Sequence, residues 1–441
     1  MLGTYLSVYV CENFYERNMN IRVRFRRKKK KTKKKKTFLL TLSSNISQGS
    51  WSNTAKFANT RNIPFPAFYF TYSVGTFLLA LICFVSLGDS SFFYCQDDSE
   101  SKKKIISLVS AAGAGVVFNI ANVGITAAVQ IVGLSIAFPI AVGVALVVGT
   151  VRSVGARSAR IPIISLFSCF NCVTKIRRTS IASLPHTARK LDNDENLEEA
   201  RTQVLTYIVD PTGKASLLFA GLTLAVFAVI ATAIAGKLKD GKDQAVEDQR
   251  LIDGLLEDPH TQDEQKNNTN NFTKGVITSL ISGVLMSLWS PLNALALADL
   301  NKSCEENQGK LTAYSSFLIF TFSIVLSSML ILCPLVLKYP VDGKPATSLA
   351  KCLSLRPFSY HTIGLFGGVI WALGTLSNSI SGMKLGLALS YAIGQAAPMV
   401  ATTWGLLYYK EYVGAPRSSF VSLFFMYVFY LGAISLVALS K

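Results

Sequence analysis

The chain has 441 residues, of which 50% are hydrophobic and only 16% are charged. Ordinary soluble domains carry roughly 25% charged residues, so this composition excludes a typical soluble globular protein. The formal net charge is +18, but residues 22–36 alone contribute twelve basic side chains, in the string RVRFRRKKKKTKKKK. The string has no aromatic interleaving and no folded basic domain around it, which argues against nucleic-acid binding.

Most of the chain is predicted to cross a membrane. An apolar stretch of about 20 residues is long enough to span a bilayer as a helix. Nine such spans are predicted, at 66–87, 104–126, 130–150, 215–236, 275–297, 312–338, 359–380, 384–408 and 418–439. The sequence therefore predicts an all-α polytopic membrane protein.

A polar stretch at 237–274 separates four predicted spans from the other five. It is rich in Asp, Glu, Lys, Gln and Asn and poor in residues that form a core. Such a composition is typical of a flexible, solvated linker. The chain is therefore predicted to consist of two membrane halves.

The two halves show a weak internal repeat. Residues 115–150 align without a gap on residues 368–403 at a constant shift of 253, with seven identities that include Gly115/Gly368, Gly133/Gly386 and Thr150/Thr403. Each segment predicts a helix pair joined by a short glycine-containing hinge. If each repeat holds five spans, the second copy lies inverted in the bilayer, which is typical of alternating-access transporters.

The chain carries five distinctive motifs, which are W-S-P-L-N-A-L-A-L-A at 289–298, T-A-Y-S-S-F at 312–317, K-Y-P-V-D-G-K-P at 338–345, G-Q-A-A-P-M-V-A-T-T-W-G at 394–405 and K-E-Y at 410–412. Together these motifs resemble the ureide permease family of the drug/metabolite transporter superfamily. In the first half, G-S-W-S-N at 49–53 resembles the family's G-T-W-P-A segment. The resemblance implies a ten-helix fold of two inverted five-helix repeats that moves small polar nitrogen compounds or sugars.

Two segments depart from the family pattern. Residues 1–48 hold the lysine-rich string where the family has a hydrophobic first helix, so that helix is expected to be incomplete. Residues 151–203 interrupt a segment that the family reads continuously. We interpret both segments as errors of the gene structure; the alternative is a real basic tail and a real cytosolic insertion. Transcript sequence across both would decide.

The predicted domain organisation follows from these boundaries. Residues 1–48 form a basic segment outside the family pattern, 49–236 the first membrane repeat with its suspect insertion, 237–274 the linker and 275–441 the second repeat. Loop charge favours a cytoplasmic linker when the suspect segments are left out, and the opposite when 151–203 is counted. The sequence therefore leaves open the orientation of the termini and which membrane holds the chain.

Residues that carry chemistry are scarce. None of the three histidines has metal-ligand spacing, and the single C-x-x-C, Cys169 and Cys172, lies in the suspect insertion. A Walker-type phosphate loop is missing as well. The sequence predicts neither an enzyme nor a cofactor or metal site. Glu411 is expected to have a capping or interfacial role, and the coupling ion, if any, stays open.

A transport site is expected to show polar and aromatic side chains at membrane depth, where they are costly unless they face a cavity or a partner. Amide side chains suit ureides because they both donate and accept hydrogen bonds. The candidates are Trp51, Asn119, Asn122, Gln130, Trp289, Ser290, Asn293, Trp371, Asn378, Gln395 and Trp404. Hinges are predicted at Pro139, Pro291, Gly394 and Pro398.

The sequence thus favours a secondary transporter of small neutral polar metabolites, of ureide, allantoin or nucleobase type. A sugar transporter of the same superfamily is the first alternative. A membrane interaction protein that does not transport is the alternative from another class. The expected partners are a small-molecule substrate and the lipid bilayer, without nucleic acid. The exact substrate and the oligomeric state stay open.

Overall fold

A computed structural model describes residues 43–88, 101–158, 215–252, 261–297, 311–338, 348–354, 358–385 and 396–439. Every regular element in these ranges is helical. The helices are α1 (43–50), α2 (Ser52–Thr60), α3 (Phe65–Leu87), α4 (Ser101–Val132), α5 (Leu134–Ser158), α6 (Ala215–Ile252), α7 (Thr261–Ala296), α8 (Ala313–Ser327), α9 (Cys333–Lys338), α10 (Leu349–Leu353), α11 (Ser359–Leu385), α12 (Ala397–Leu407) and α13 (Arg417–Leu439).

Seven of the described helices are long and apolar enough to cross a membrane. All seven coincide with predicted spans, on α3, α4, α6, α7, α8, α11 and α13. The apolar part of α5, Leu134–Val148, is shorter than these spans, and α12 has only 11 described residues. The prediction of a polytopic all-helical membrane protein is confirmed.

The hinge between α4 and α5 is a single glycine. Gly133 adopts φ +90°, a left-handed conformation that glycine enters far more readily than other residues. The chain therefore turns between Val132 and Leu134, and α5 starts a new helix against the end of α4. The short glycine hinge predicted in the first half is confirmed.

Close backbone contact holds α3 against α11, and glycine makes it possible. A Cβ atom on Gly75 would lie 2.2 Å from the carbonyl oxygen of Leu365, and one on Gly368 would lie 2.1 Å from that of Tyr72. Small residues at such crossings let membrane helices pack closely. This seam places Tyr72 and Trp371, which lie on the two facing helices, at the centre of the bundle.

The chain departs from the predictions at both ends of the linker. Helix α6 continues to Ile252 and α7 begins at Thr261, so much of the stretch predicted as flexible is helical in its described residues. Isolated helices need packing or length to be stable, and both extensions grow from membrane helices that are already nucleated. Helix α5 likewise runs to Ser158, into the suspect insertion, whose residues 159–203 lie outside the described ranges.

The chain before Gly49 packs against the bundle over its described residues. The hydroxyl of Ser44 donates to the carbonyl oxygen of Gly374 at 2.7 Å, and Ser44 and Asn45 are both buried. A Cβ on Gly49 would lie 2.6 Å from the carbonyl oxygen of Ala397. Helix α1 therefore occupies a place between α11 and α12.

Helix α11 continues to Leu385, beyond the predicted span 359–380. Pro398 was predicted as a hinge inside the span 384–408. Helix α12 is described from Ala397, so Pro398 stands in the first turn of the described helix, and its role as a hinge stays a prediction. Pro139 and Pro291 do lie inside α5 and α7, and Gly394 lies outside the described residues.

Candidate functional site

An aromatic cluster fills the centre of the bundle around Trp371. The ring of Phe118 lies 4.6 Å from that of Trp371, and the rings of Phe317 and Phe320 each lie 6.2 Å away. Trp289 joins on the other side, at 5.9 Å from Phe118. Ring centroids 4.5–7 Å apart are in favourable contact, so the four helices α4, α7, α8 and α11 meet here through their aromatic residues.

The pairing of Phe118 with Trp371 fits the internal repeat. The constant shift of 253 residues that aligns Gly115 with Gly368 also aligns Phe118 with Trp371, although the two residues are not identical. Their ring contact is the closest in the aromatic cluster. Equivalent residues of two repeats meet where a two-fold axis passes, so this ring pair is the place to look for such an axis.

A cluster of amide and hydroxyl groups lies beside the aromatic rings. Asn119 is fully buried, and its Oδ1 accepts from the hydroxyl of Tyr69 at 2.8 Å. Its Nδ2 donates to the hydroxyls of Ser327 and Ser328 at 2.8 and 2.9 Å. The two serines stand where α8 ends and a π-helical turn (Ser328–Leu332) begins. A buried amide with this many partners fastens α4 to α3 and α8.

Asn122, one helical turn further along α4, is bound more loosely. Its Nδ2 donates to the hydroxyls of Tyr69 and Tyr72 at 3.2 and 3.4 Å, which are long bonds. Asn122 is therefore better able than Asn119 to exchange its contacts for those of a ligand.

Trp51 closes the aromatic cluster from the side of α2. Its ring lies 5.0 Å from Tyr72 and 6.4 Å from Phe138, and the side chain is 2% exposed. Trp51 stands at the turn between α1 and α2, so the start of the family-like segment at Gly49 reaches the centre of the bundle. Its role as a site residue stays a prediction.

A small cavity opens next to the cluster. Its lining is formed by Trp289, Asn293, Leu297, Ala313, Ser316, Phe317, Phe320, Thr375 and Ser379, none of which is charged. The space for the centre of a water-sized sphere is about 10 Å³, which is room for about one water molecule. Within the cavity wall, Oδ1 of Asn293 accepts from Ser316 at 3.1 Å. In this conformation the cavity is therefore too small to admit a ligand larger than about one water molecule.

The structure brings together most of the candidates from the first membrane half and from α7 and α11. Trp51, Asn119, Asn122, Trp289, Asn293 and Trp371 belong to the aromatic and amide clusters or to the cavity. Asn378 lies on α11 directly before the cavity residue Ser379. The side chain of Ser290 and the whole of Gln395 lie outside what the structure describes.

Two candidates stand apart from the cavity. Trp404 is 39% exposed and its indole nitrogen donates to the hydroxyl of Ser50 at 3.0 Å, so it faces outward between α12 and α1. Gln130 lies near the end of α4, and its buried side-chain oxygen has no hydrogen-bond partner among the residues that the structure describes. Their role as substrate ligands stays a prediction.

A second polar cluster lies at the end of the bundle, around Glu411. Its Oε1 accepts from the backbone N–H of Leu134 at 3.0 Å and pairs with Lys56 Nζ at 3.1 Å. Its Oε2 accepts from the backbone N–H of Ser135 at 3.1 Å and from the Ser135 hydroxyl. The expectation that Glu411 is a capping residue is confirmed, since it caps the N-terminus of α5.

These contacts keep Glu411 ionised. Burial alone raises the pKa of its carboxyl group, but the Lys56 ammonium, the Ser135 hydroxyl and the two backbone N–H groups together lower that pKa by more. The net pKa therefore lies below its ordinary value. A carboxylate that accepts hydrogen bonds and faces a cation is stabilised in its charged form.

Sequence reasoning missed Tyr69, Tyr72, Ser327, Ser328 and Lys56. The two tyrosines lie in a span with many other aromatic residues, so the sequence does not distinguish them. Serines are frequent in membrane helices, so Ser327 and Ser328 were not distinctive either. One signal was available for the tyrosines, since Tyr69 and Tyr72 are three residues apart and so share one face of a helix.

Comparison with known proteins gives one family. The family model described as Ureide permease matches residues 68–440. Ureide permease 1 of Arabidopsis thaliana is 24% identical over 387 residues, which cover 85% of this chain and 88% of the relative. Ureide permease 2 of the same plant is 28% identical over 167 residues, covering 38% of this chain and 41% of the relative. These relatives point to a transporter rather than an enzyme.

Proposed function

Because the chain belongs to the ureide permease family, we propose that it carries small neutral polar metabolites of the ureide or nucleobase type across a membrane. The observation that carries this proposal is the uncharged lining of the central site. Asn119, Asn122 and Asn293 supply amide groups there, and Trp289 and Trp371 supply aromatic faces.

The chemistry of the site suits a flat, neutral molecule rich in N–H and C=O groups. An amide side chain offers two N–H donors and a carbonyl acceptor, which complement the urea unit of a ureide. Aromatic faces stack well on planar heterocycles. A charged substrate would need a counter-ion in a low-dielectric site, and the described lining of the cavity supplies none.

Alternating access between two inverted repeats is the transport mechanism that fits the packing best. A five-helix repeat makes α3, α4, α5 and α6 the equivalents of α8, α11, α12 and α13. Equivalent helices that lie near a two-fold axis can meet across it, and α3 packs on α8, α5 on α12 and α6 on α13. The axis also requires the contact of α3 with α11 to have a mate in α8 with α4, and both contacts occur. This pattern supports a ten-helix inverted-repeat fold.

A sugar transporter is the nearest rival, because aromatic faces and amides also bind sugars. The two functions differ in what they need from the site. A hexose offers hydroxyl groups around a puckered ring, whereas a ureide offers a planar N–C=O unit that both stacks and pairs with an amide. The flat rings of Trp289, Phe317 and Phe320 that line the cavity favour the planar ligand.

Uptake by the purified chain in liposomes tests this proposal. Radiolabelled allantoin is expected to enter in a saturable manner, and unlabelled uracil is expected to compete, while glucose in equal excess is not. Competition by glucose alone would support the sugar transporter. If neither compound is taken up and neither raises the unfolding temperature of the protein, a membrane interaction protein without transport becomes the better account.

A further inference from the structure

Glu411 is isolated among the acidic residues of the chain. Apart from those at positions 240–264 in the extensions of α6 and α7, it is the only carboxylate among the described residues. It does not touch the aromatic or amide clusters. Its partners are Lys56 on α2 and the first two residues of α5, so three separate parts of the chain meet at one carboxylate.

The packing is shaped around this carboxylate. A Cβ atom on Gly133 would lie 3.0 Å from Oε2 of Glu411, and one on Gly405 would lie 2.9 Å from the same oxygen. Lys56 also lies over the ring of Tyr409, at 5.8 Å from its centre. The hydroxyl of Tyr409 donates to the backbone oxygen of Asn53 at 2.9 Å, which gives α2 a second attachment to the same segment.

This cluster lies at the linker end of the bundle. Ile136, in the first turn of α5, would contact a Cβ on Gly236 at 2.8 Å, and Gly236 stands near the end of the membrane span of α6, which leads into the linker. Helix α7 leaves the linker, and Asn293 near its end and Leu297 just after it line the cavity. The cavity therefore lies towards the opposite end from Glu411.

The elements that the cluster joins also form walls of the central site. Trp51 stands just before α2 and contacts Tyr72 at 5.0 Å. Phe138 follows Ser135 by one helical turn on α5 and contacts Trp51 at 6.4 Å. A separation of α2 from α5 at Glu411 would therefore also separate the ring of Trp51 from that of Phe138.

We propose that Lys56, Glu411 and Ser135 form the linker-side gate of the transport path, and that this gate opens by separation of Lys56 from Glu411. The inference rests on the alternating-access transport proposed above. Such a carrier must close one end of its path while the other end is open. Here the ion pair and the helix cap close the linker end, while the cavity lies towards the other end. Glu411 is a positioning residue, since it holds the walls and does not touch the substrate.

Sided labelling of one introduced cysteine tests the gate. Asn53→Cys is placed in a chain whose eight native cysteines are replaced by serine or alanine. Asn53 suits this purpose because its buried side-chain oxygen has no partner among the described residues. A membrane-impermeant maleimide is added from the linker side of proteoliposomes. Glu411→Gln and Lys56→Met are each expected to raise the labelling rate about tenfold, because both shift the gate towards its open state.

Three controls separate a gate from a merely structural contact. Lys410→Met removes an exposed neighbouring charge and is expected to leave the labelling rate unchanged. Lys56→Arg keeps the positive charge and is expected to be labelled as slowly as the chain with Lys56. If Glu411→Gln fails to fold, the labelling rate of the Lys56→Met variant decides the question, because that variant keeps Glu411 as the cap of α5. An unchanged rate in the folded variants would overturn the gate. The labelling needs no substrate, so a failure of the wild type to take up ureides would overturn the proposed function alone.

Discussion

The centre of the bundle and its linker end solve the problem of buried polarity in opposite ways. At the centre, Asn119 and Asn122 are neutral, and both donate hydrogen bonds to hydroxyl groups of neighbouring helices. At the linker end, Glu411 is charged and needs a cation and three hydrogen-bond donors to stay so. A neutral centre can exchange its partners for those of a neutral ligand, whereas a charged cluster is suited to hold or release as a unit.

The largest effect is expected from the aromatic centre. Trp371→Ala removes a side chain that is 5% exposed and contacts the rings of Phe118, Phe317 and Phe320. Truncating a buried tryptophan costs about 3–5 kcal/mol of stability. The unfolding temperature of the variant in detergent is therefore expected to fall sharply. Trp404→Ala, at a position 39% exposed, is the matched control and is expected to change it little. Equal losses would contradict a central role for Trp371.

The next effect separates the two asparagines of the centre. Asn119→Leu removes a buried hydrogen-bond partner of Tyr69, Ser327 and Ser328, and the loss of a buried partner costs about 1–3 kcal/mol. Asn122→Leu removes only two long bonds and is expected to cost less stability. If Asn122 binds substrate, its variant instead raises the KM for allantoin more than it lowers the unfolding temperature. The reverse ranking would assign recognition to Asn119.

A smaller effect is expected at the linker end, and it depends on pH. Glu411→Gln breaks the pair with Lys56, and we expect a loss of about 1–2 kcal/mol at pH 7, since Lys56 reaches solvent and the pair is only partly buried. The pKa of Glu411 is lowered by folding, so its contribution is fully present above the ordinary carboxyl pKa of 4.5.

That contribution is lost as the pH falls through the lowered pKa of the folded state. The difference in unfolding temperature between the wild type and Glu411→Gln is therefore expected to stay constant from neutral pH down to the ordinary carboxyl pKa of 4.5 and to shrink at lower pH. A difference that stays constant below that pKa would show that folding does not lower the pKa of Glu411.

The smallest effect concerns helix α1. Ser44→Ala removes one buried hydrogen bond to the carbonyl oxygen of Gly374, which is worth about 1 kcal/mol. A measurable drop in the unfolding temperature would show that the residues before Gly49 form part of the folded helix bundle. Ser43→Ala, at the exposed neighbouring position, is the control. Identical unfolding curves for Ser44→Ala and wild type would favour the interpretation of this segment as foreign to the fold.

Local patterns in the sequence predicted the helices better than they predicted the contacts. The apolar stretches and the glycine hinge at Gly133 are local signals, and both are confirmed. Trp371, Asn119 and Asn122 could be chosen because polar and aromatic residues at membrane depth are rare. The pair of Lys56 with Glu411 could not, since 355 positions separate the two residues and only the fold brings them together.

The helical extensions into the linker and the start of α12 beside Pro398 were not predicted, for a related reason. Composition reports whether a segment can enter a membrane, and a polar helix that extends a membrane helix has the same composition as a solvated loop. A proline likewise bends or begins a helix according to where the helix starts. Neither the helicity of a polar segment nor the start of a helix can be decided from those residues alone.

Competition between a neutral ureide and its anionic relative tests the central claim most directly. Binding of radiolabelled allantoin to the purified chain is measured against unlabelled allantoin and against allantoate, the ring-opened compound that carries a carboxylate. The uncharged lining of the cavity predicts that allantoin competes fully and that allantoate competes at least a hundredfold more weakly, a difference of about 2.8 kcal/mol. Equal competition by the two compounds would contradict the account, because the site would then have to hold a cation that its described residues do not supply.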